Sequence, residues 1–180
     1  YSFEPVSITY SKLIKNIKLN NFNNITTENL AVSNENGEIE LFVADEKSTG
    51  SSSIAMHVNF SGVKEIVKTI RIDDYISQKN INKLDLVKID VEGCEPMVIE
   101  GMLVTMKELK PTILIEVLDE RLNTINSSKE QLFQLFEYNN YEAYEIIGET
   151  LAKKIRNPKE DPLVIFKHRE SKFPNNFVLS

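Results

Sequence analysis

The sequence predicts an α/β protein whose sheet carries helices on both faces. Three observations point there. Apolar residues switch repeatedly along the chain between the spacing of strands and the spacing of helices. Residues 112–117, Thr-Ile-Leu-Ile-Glu-Val, form a nearly continuous apolar run, as in strands covered on both faces of a parallel sheet. Residues 84–101 read as strand, acidic turn and helix in immediate succession. An open α/β sheet presents polar groups in this way, because ligands sit beyond the carboxyl ends of its strands.

The elements follow in order. Tyr1-Ser2-Phe3 reads as the tail of a strand. Val6, Tyr10, Leu13, Ile14 and Ile17 recur at helical spacing, with Pro5 suited to a first helical position and Asn20-Asn21 to the helix end. Residues 25–32 and 38–43 flank a turn at 33–37 and read as a hairpin, Ile39, Leu41 and Val43 facing inward. The polar loop of Thr49-Gly50-Ser51-Ser52-Ser53 is either a substrate lid or a plain surface connection. A strand at 63–72 leads into a short helix from Asp73 to about Lys79. After the strand at 84–89, one helix is expected from about Glu95 to Leu109, and Pro111 resets the chain before the strand at 112–117. Ser128-Lys129-Glu130-Gln131 has the form of a capping box, opening a helix that ends near Asn139-Asn140. Strands at 141–147 and 163–167, joined by a charged loop, close the sheet.

A chain of 180 residues is one domain by its length. Its net charge of −6 argues against a broad footprint on nucleic acid, which needs clustered Lys and Arg. One cysteine, Cys94, excludes an internal disulfide framework and a cysteine-based zinc site. No apolar run approaches the roughly 20 residues that span a bilayer, and a cytoplasmic protein is expected. The chain starts at Tyr1 rather than Met and reads as cut from something longer.

Five side chains are candidates for chemistry. Glu4 lies where a strand ends and a helix begins. There an acid accepts hydrogen bonds from the vicinal hydroxyls of a ribose, or merely places favourable charge at a helix N-terminus. Lys88 sits in a strand expected to be covered on both faces, so it must pair or reach the cleft. Asp90 and Glu116 are its natural partners, in a structural ion pair or in one that orients a carboxylate. Asp90 and Glu92 would share a face in extended geometry. Paired carboxylates serve as a general base, bind a hard cation with Glu116, or cap the next helix. No metal is assigned. Gly93 is read as a turn that lets the backbone approach a ligand, and Cys94 as a small buried side chain. His57, His168 and the methionines 97, 102 and 106 are read as packing or surface residues.

Several of these residues also carry a family resemblance. Phe3-Glu4-Pro5, Asn16-Ile17-Lys18-Leu19-Asn20, Leu30-Ala31-Val32-Ser33 with Gly37, Gly50-Ser51-Ser52, Ile72-Asp73-Asp74-Tyr75, Val87-Lys88-Ile89-Asp90-Val91-Glu92-Gly93, and Lys110-Pro111 with Ile115-Glu116-Val117 occur in that order. The whole resembles the FkbM family of S-adenosylmethionine-dependent methyltransferases from Phe3 to about Val117. The resemblance implies a Rossmann-like class I methyltransferase fold and O-methylation of a hydroxyl on a sugar or natural-product-like acceptor. It implies that Glu4 holds the ribose of S-adenosylmethionine and that Asp90 and Glu92 line the cleft beside the methyl group. The family's first strand, with the Gly-rich turn that cradles the methionine end of the cofactor, should precede Phe3. It would lie centrally, between the strand ending at Phe3 and the strand at 84–89, and here only Tyr1-Ser2 precede Phe3.

Two readings follow. In the first, the chain is an N-terminally incomplete methyltransferase domain, with Asp90 as leading general base, Glu92 second and Lys88 as the orienting cation. In the second, it is a non-catalytic binding or interaction domain that keeps the fold without the cofactor. A nicotinamide-dependent oxidoreductase shares the fold but not the Lys-Ile-Asp-Val-Glu-Gly element, and ranks below both.

Overall fold

Three hydrogen-bonded sheets organise the residues that the computed structural model describes, 1–44, 62–147, 151–154 and 163–173. In chain order the elements are β1 (Ser2–Phe3), α1 (Ser7–Leu19), β2 (Thr27–Glu28), β3 (Ala31–Val32), β4 (Gly37–Ala44), β5 (Gly62–Ile70), α2 (Ile72–Gln78), β6 (Leu86–Ile89), α3 (Glu95–Glu100), α4 (Leu103–Glu108), β7 (Thr112–Glu116), α5 (Asp119–Leu122), α6 (Lys129–Tyr138), β8 (Tyr141–Ile147), β9 (Leu151–Lys154) and β10 (Leu163–His168). A single 3-10 turn, Asn123–Ile125, follows α5.

The largest sheet has the order β6-β7-β10-β8-β9, with only β6 and β7 parallel. Register fixes its faces. Val87, Ile113, Phe166 and Ala143 form one row across the sheet, and Ile89, Ile115 and Val164 form the next on the same face. This face meets Val98 and Ile99 of α3, Met106 of α4, and Leu132 and Phe136 of α6 in one core. Phe136 stacks on Phe166 with ring centroids 3.6 Å apart. Each fully buried side chain of this size stabilises the fold by about 1.5–3 kcal/mol. Lys88, Leu114, Ile165 and Tyr144 form a row on the opposite face. A smaller core of Val6, Leu41 and Val67 joins the chain ahead of α1 to the sheet β3-β5-β4.

Several expectations hold. The capping box is formed: Ser128 Oγ accepts from Gln131 N–H, and the Gln131 side chain accepts from Ser128 N–H. Ser128→Ala should therefore lower stability by about 1 kcal/mol, read from the urea unfolding midpoint. Met102 and Met106 are fully buried, and Cys94 and His168 are buried too. His57 and the loop at 49–53 lie outside the described residues.

Others are corrected. The segments around 25–32 and 38–43 do not pair as a hairpin. β5 lies between β3 and β4, parallel to the first and antiparallel to the second. Residues 25–32 split, β2 pairing with β1 and β3 with β5. Pro5 stands ahead of the helix rather than in it, because Val6 is the residue before the first turn. The expected helix from 95 to 109 breaks into α3 and α4 at Gly101 and Met102. The cause is tertiary. Asp73 accepts from Val104 N–H, Thr105 N–H and Thr105 Oγ1, so a carboxylate from α2 caps a new helix start. The charged loop expected at 153–161 is preceded, and overlapped at its start, by an unexpected strand, β9, paired antiparallel with β8.

The premise about Lys88 also fails. Its side chain is 60 % exposed, on the face away from the packed helices, so no buried ammonium has to be neutralised.

Candidate active site

The carboxyl end of β6 turns sharply after Asp90. Glu92 and Gly93 both adopt positive φ, 54° and 101°, and the chain then enters α3 with Pro96 in its first turn. Gly93 is required here: a Cβ would come within 2.7 Å of the Arg121 carbonyl oxygen, and the backbone angle itself disfavours other residues. The close approach it permits is thus to α5, the short helix after β7. Glu92 tolerates the left-handed region because Arg121 Nε holds its Oε2 at 3.3 Å.

This turn spoils the extended geometry that would have put Asp90 and Glu92 on one face. Glu92 turns to Arg121, whereas Asp90 turns to Lys88, whose Nζ donates to Oδ2 at 3.0 Å. The next strand brings a further acid. Ile89 pairs with Ile115, so Glu116 stands beside Asp90 and shares a hydrogen bond with it. The neighbouring acids favour the protonated form of Glu116. Desolvation lifts its carboxyl above the ordinary range, repulsion from Asp90, the shared bond and Glu92 lift it further, and Lys88 opposes the shift.

Glu95 is the acid that sequence reasoning missed. It is 3 % exposed; its Oε1 accepts from Gly93 N–H, and its Oε2 is buried without a hydrogen-bond partner among the described residues. Burial raises its pKa. With Asp90, Glu92, Glu116 and Arg121 it surrounds a small void at the strand ends. Nothing in the local pattern distinguishes Glu95 from an ordinary helix-start acid, and Arg121 carries no local signal either. Among the described residues no group of three ligand-type side chains could hold a metal ion.

Glu4 enters from the other side. Its Oε1 accepts from Val6 N–H at 2.8 Å, and desolvation raises its pKa, the Val6 bond opposing and Glu65 reinforcing the shift. A cavity of about 220 Å³ separates it from Asp90 and Glu92, with Leu30, Ala31, Val32 and Leu41 as apolar walls. Glu4, Asp90 and Glu92, far apart in sequence, therefore line one space. A carboxylate has about four acceptor positions, so the Val6 bond leaves Glu4 capacity for the two hydroxyls of a ribose.

A larger groove of about 510 Å³ adjoins this cavity at Phe3, Val32, Asp90 and Val91. It runs between β1 and β6, which among the described residues are not hydrogen-bonded to one another. Lys88 lines it beside apolar side chains of both strands. At one wall Tyr75 donates to Glu28 Oε1 at 2.8 Å and meets the ring of Phe3 edge-on, 4.9 Å between centroids.

The profile of the methyltransferase FkbM domain matches residues 1–143, most of the chain. The chain belongs to the FkbM methyltransferase family. Among curated proteins, Methyltransferase 1 of Beauveria bassiana (strain ARSEF 2860) is 20 % identical over 137 residues, covering 67 % of this chain and 55 % of that protein. A crystal structure of methyltransferase FkbM from Methylobacillus flagellatus KT superposes with a TM-score of 0.54 at 15 % identity, over 92 % of this chain and 35 % of that one. The fold is thus the Rossmann-like α/β fold of FkbM methyltransferases. The chain spans about half the length of the curated relative and about a third of the solved one. The FkbM match takes in Glu4, Lys88, Asp90, Glu92 and Glu116 alike.

Proposed function

We propose that this chain forms the ribose-binding and acceptor-facing part of an S-adenosylmethionine-dependent O-methyltransferase acting on a hydroxyl of a sugar or natural-product-like molecule. One observation carries the proposal: a half-buried acid at the end of β1 and the acidic end of β6 face each other across a single apolar-walled cavity. When bound, the cofactor supplies an electrophilic methyl group on a sulfonium. Glu4 would accept the ribose hydroxyls, and Leu30, Ala31 and Val32 would wall the apolar part of the nucleoside.

The acceptor side is the work of the β6 and β7 ends. An alcohol is a weak nucleophile until its proton leaves in the transition state. Asp90 is the group placed to take that proton, since it lines the cavity with Lys88 beside it, whereas Glu92 is held by Arg121. Lys88 fixes the Asp90 carboxylate from the groove side. Apolar walls exclude water, and alignment of hydroxyl and methyl supplies much of the remaining acceleration.

The same reading has a further extended strand in the groove between β1 and β6, where it would complete the sheet and bring the turn for the methionine end. The second reading, a non-catalytic domain, draws on this same open groove. Isothermal titration of S-adenosylmethionine into a polypeptide carrying the chain separates them. Binding that Glu4→Gln weakens by about 10–100-fold, as expected for a charge-assisted hydrogen bond, supports the methyltransferase. Equal affinity in the variant would remove Glu4 from the ribose site, and no binding by a polypeptide that includes the extra strand would favour the non-catalytic domain.

A further inference from the structure

Helix α1 has two unlike faces. Tyr10, Leu13, Ile14 and Ile17 form a half-buried inner stripe. Directly opposite, Ile8, Lys12, Lys15 and Leu19 follow one another at the four- and three-residue steps that align side chains on a helix. Ile8 is 50 % exposed and Leu19 68 %, and Phe22 just beyond the helix is 55 % exposed. Lys18 flanks the stripe.

The charge is as unevenly placed as the apolar surface. From Pro5 to Thr27 the sequence has three lysines and no Asp or Glu, within a chain of net charge −6. We infer that this outer face of α1 lies on an anionic lipid surface. The interleaving of the two residue types favours lipid over an acidic protein partner. Lysines beside Ile8 and Leu19 extend their alkyl stems along the apolar surface while their ammonium groups reach phosphate head groups. The three apolar side chains enter the boundary between head groups and acyl chains, the arrangement of an interfacial helix. An open groove of about 420 Å³ beside Ile14 and Leu19 is edged by Lys15 and Lys18. No helix among the described residues is long and apolar enough to cross a membrane, so the contact is peripheral. This inference does not rest on the methyl-transfer reading.

Co-sedimentation of the chain with vesicles of phosphatidylglycerol and phosphatidylcholine in equal parts, at low salt, is the test. Binding is expected there, with little to pure phosphatidylcholine. The triple variant K12E/K15E/K18E should lose roughly a hundredfold in partition, from the contribution of each basic residue near an anionic surface. I8S/L19S/F22S should lose binding to the same vesicles as well, and thermal unfolding must show that both variants stay folded. A control triple, K83E/K107E/K129E, changes net charge equally and should bind nearly as the parent. Absence of binding to the anionic vesicles would overturn the inference, as would equal losses in the control. Binding to soluble polyglutamate without partition onto vesicles would assign the stripe to an acidic protein instead.

Discussion

Asp90→Asn is expected to cut methyl transfer by about 10²–10⁴-fold, the usual contribution of a positioned general base, in a polypeptide that carries this chain and turns over. On the proposed mechanism this is a catalytic rather than a structural loss. Asp90 and its partner Lys88 are exposed at 42 % and 60 % of their side chains, and exposed pairs contribute roughly 0–1 kcal/mol. Unfolding in urea should therefore hardly move while turnover collapses. Glu116→Gln provides the contrast. The proposed mechanism gives Glu116 no proton transfer, and an amide keeps its size and hydrogen-bonding capacity beside Asp90, so this variant should retain most of the activity. The raised pKa also gives a sign. Glu116 favours the folded state most when protonated, below the ordinary carboxylate range, and that contribution fades as pH rises through its elevated folded pKa. Glu116→Gln should remove this fading. Near-normal turnover in Asp90→Asn, or equal collapse in both variants, would sink the assignment.

The largest effect on stability should come from Gly101→Ala. A Cβ at Gly101 would lie 2.0 Å from the carbonyl oxygen of Ser33, which is itself buried. Backbone cannot yield as a flexible side-chain end does, so the break between α3 and α4 must shift against the end of β3. Overpacking of this kind costs about 3 kcal/mol. The urea midpoint should fall by roughly 1 M, given the denaturant sensitivity of a chain this size. Gly37→Ala is the control, since its Cβ would meet only Thr69 Oγ1 at 3.9 Å. Equal stability of the two variants would mean that the contact between Gly101 and Ser33 is dispensable.

Both predictions depend on information that differs in how far it could be read from the chain. The candidate catalytic strand was legible because its signals are local. An apolar run, two acids and a glycine in ten residues announce a strand end and a turn, and the structure has β6, Asp90 and a left-handed Gly93 there. The capping box was legible for the same reason, being complete within four residues. The helix break at Gly101 was not. Gly101 and Met102 continue the helical pattern, and the carboxylate that starts α4 comes from Asp73, on a different helix and 32 residues before the Thr105 it caps. The order β3-β5-β4 was hidden likewise, because periodicity gives a strand its faces but not its neighbours.

The sequence by itself determined the α/β class, most of the strands and helices, the family, and the three acids that line the cavity. The class and the elements follow from residue spacing and local turn chemistry, the family and the shared site of the three acids from the resemblance that the motifs carry. Only the tertiary structure decided which partner each acid has. It paired Glu92 with Arg121, placed Glu116 against Asp90, and buried Glu95 with an oxygen that has no hydrogen-bond partner among the described residues. The pairing of charged groups is set by strand register and by loops that close over one another, and those distances are written across the chain rather than along it.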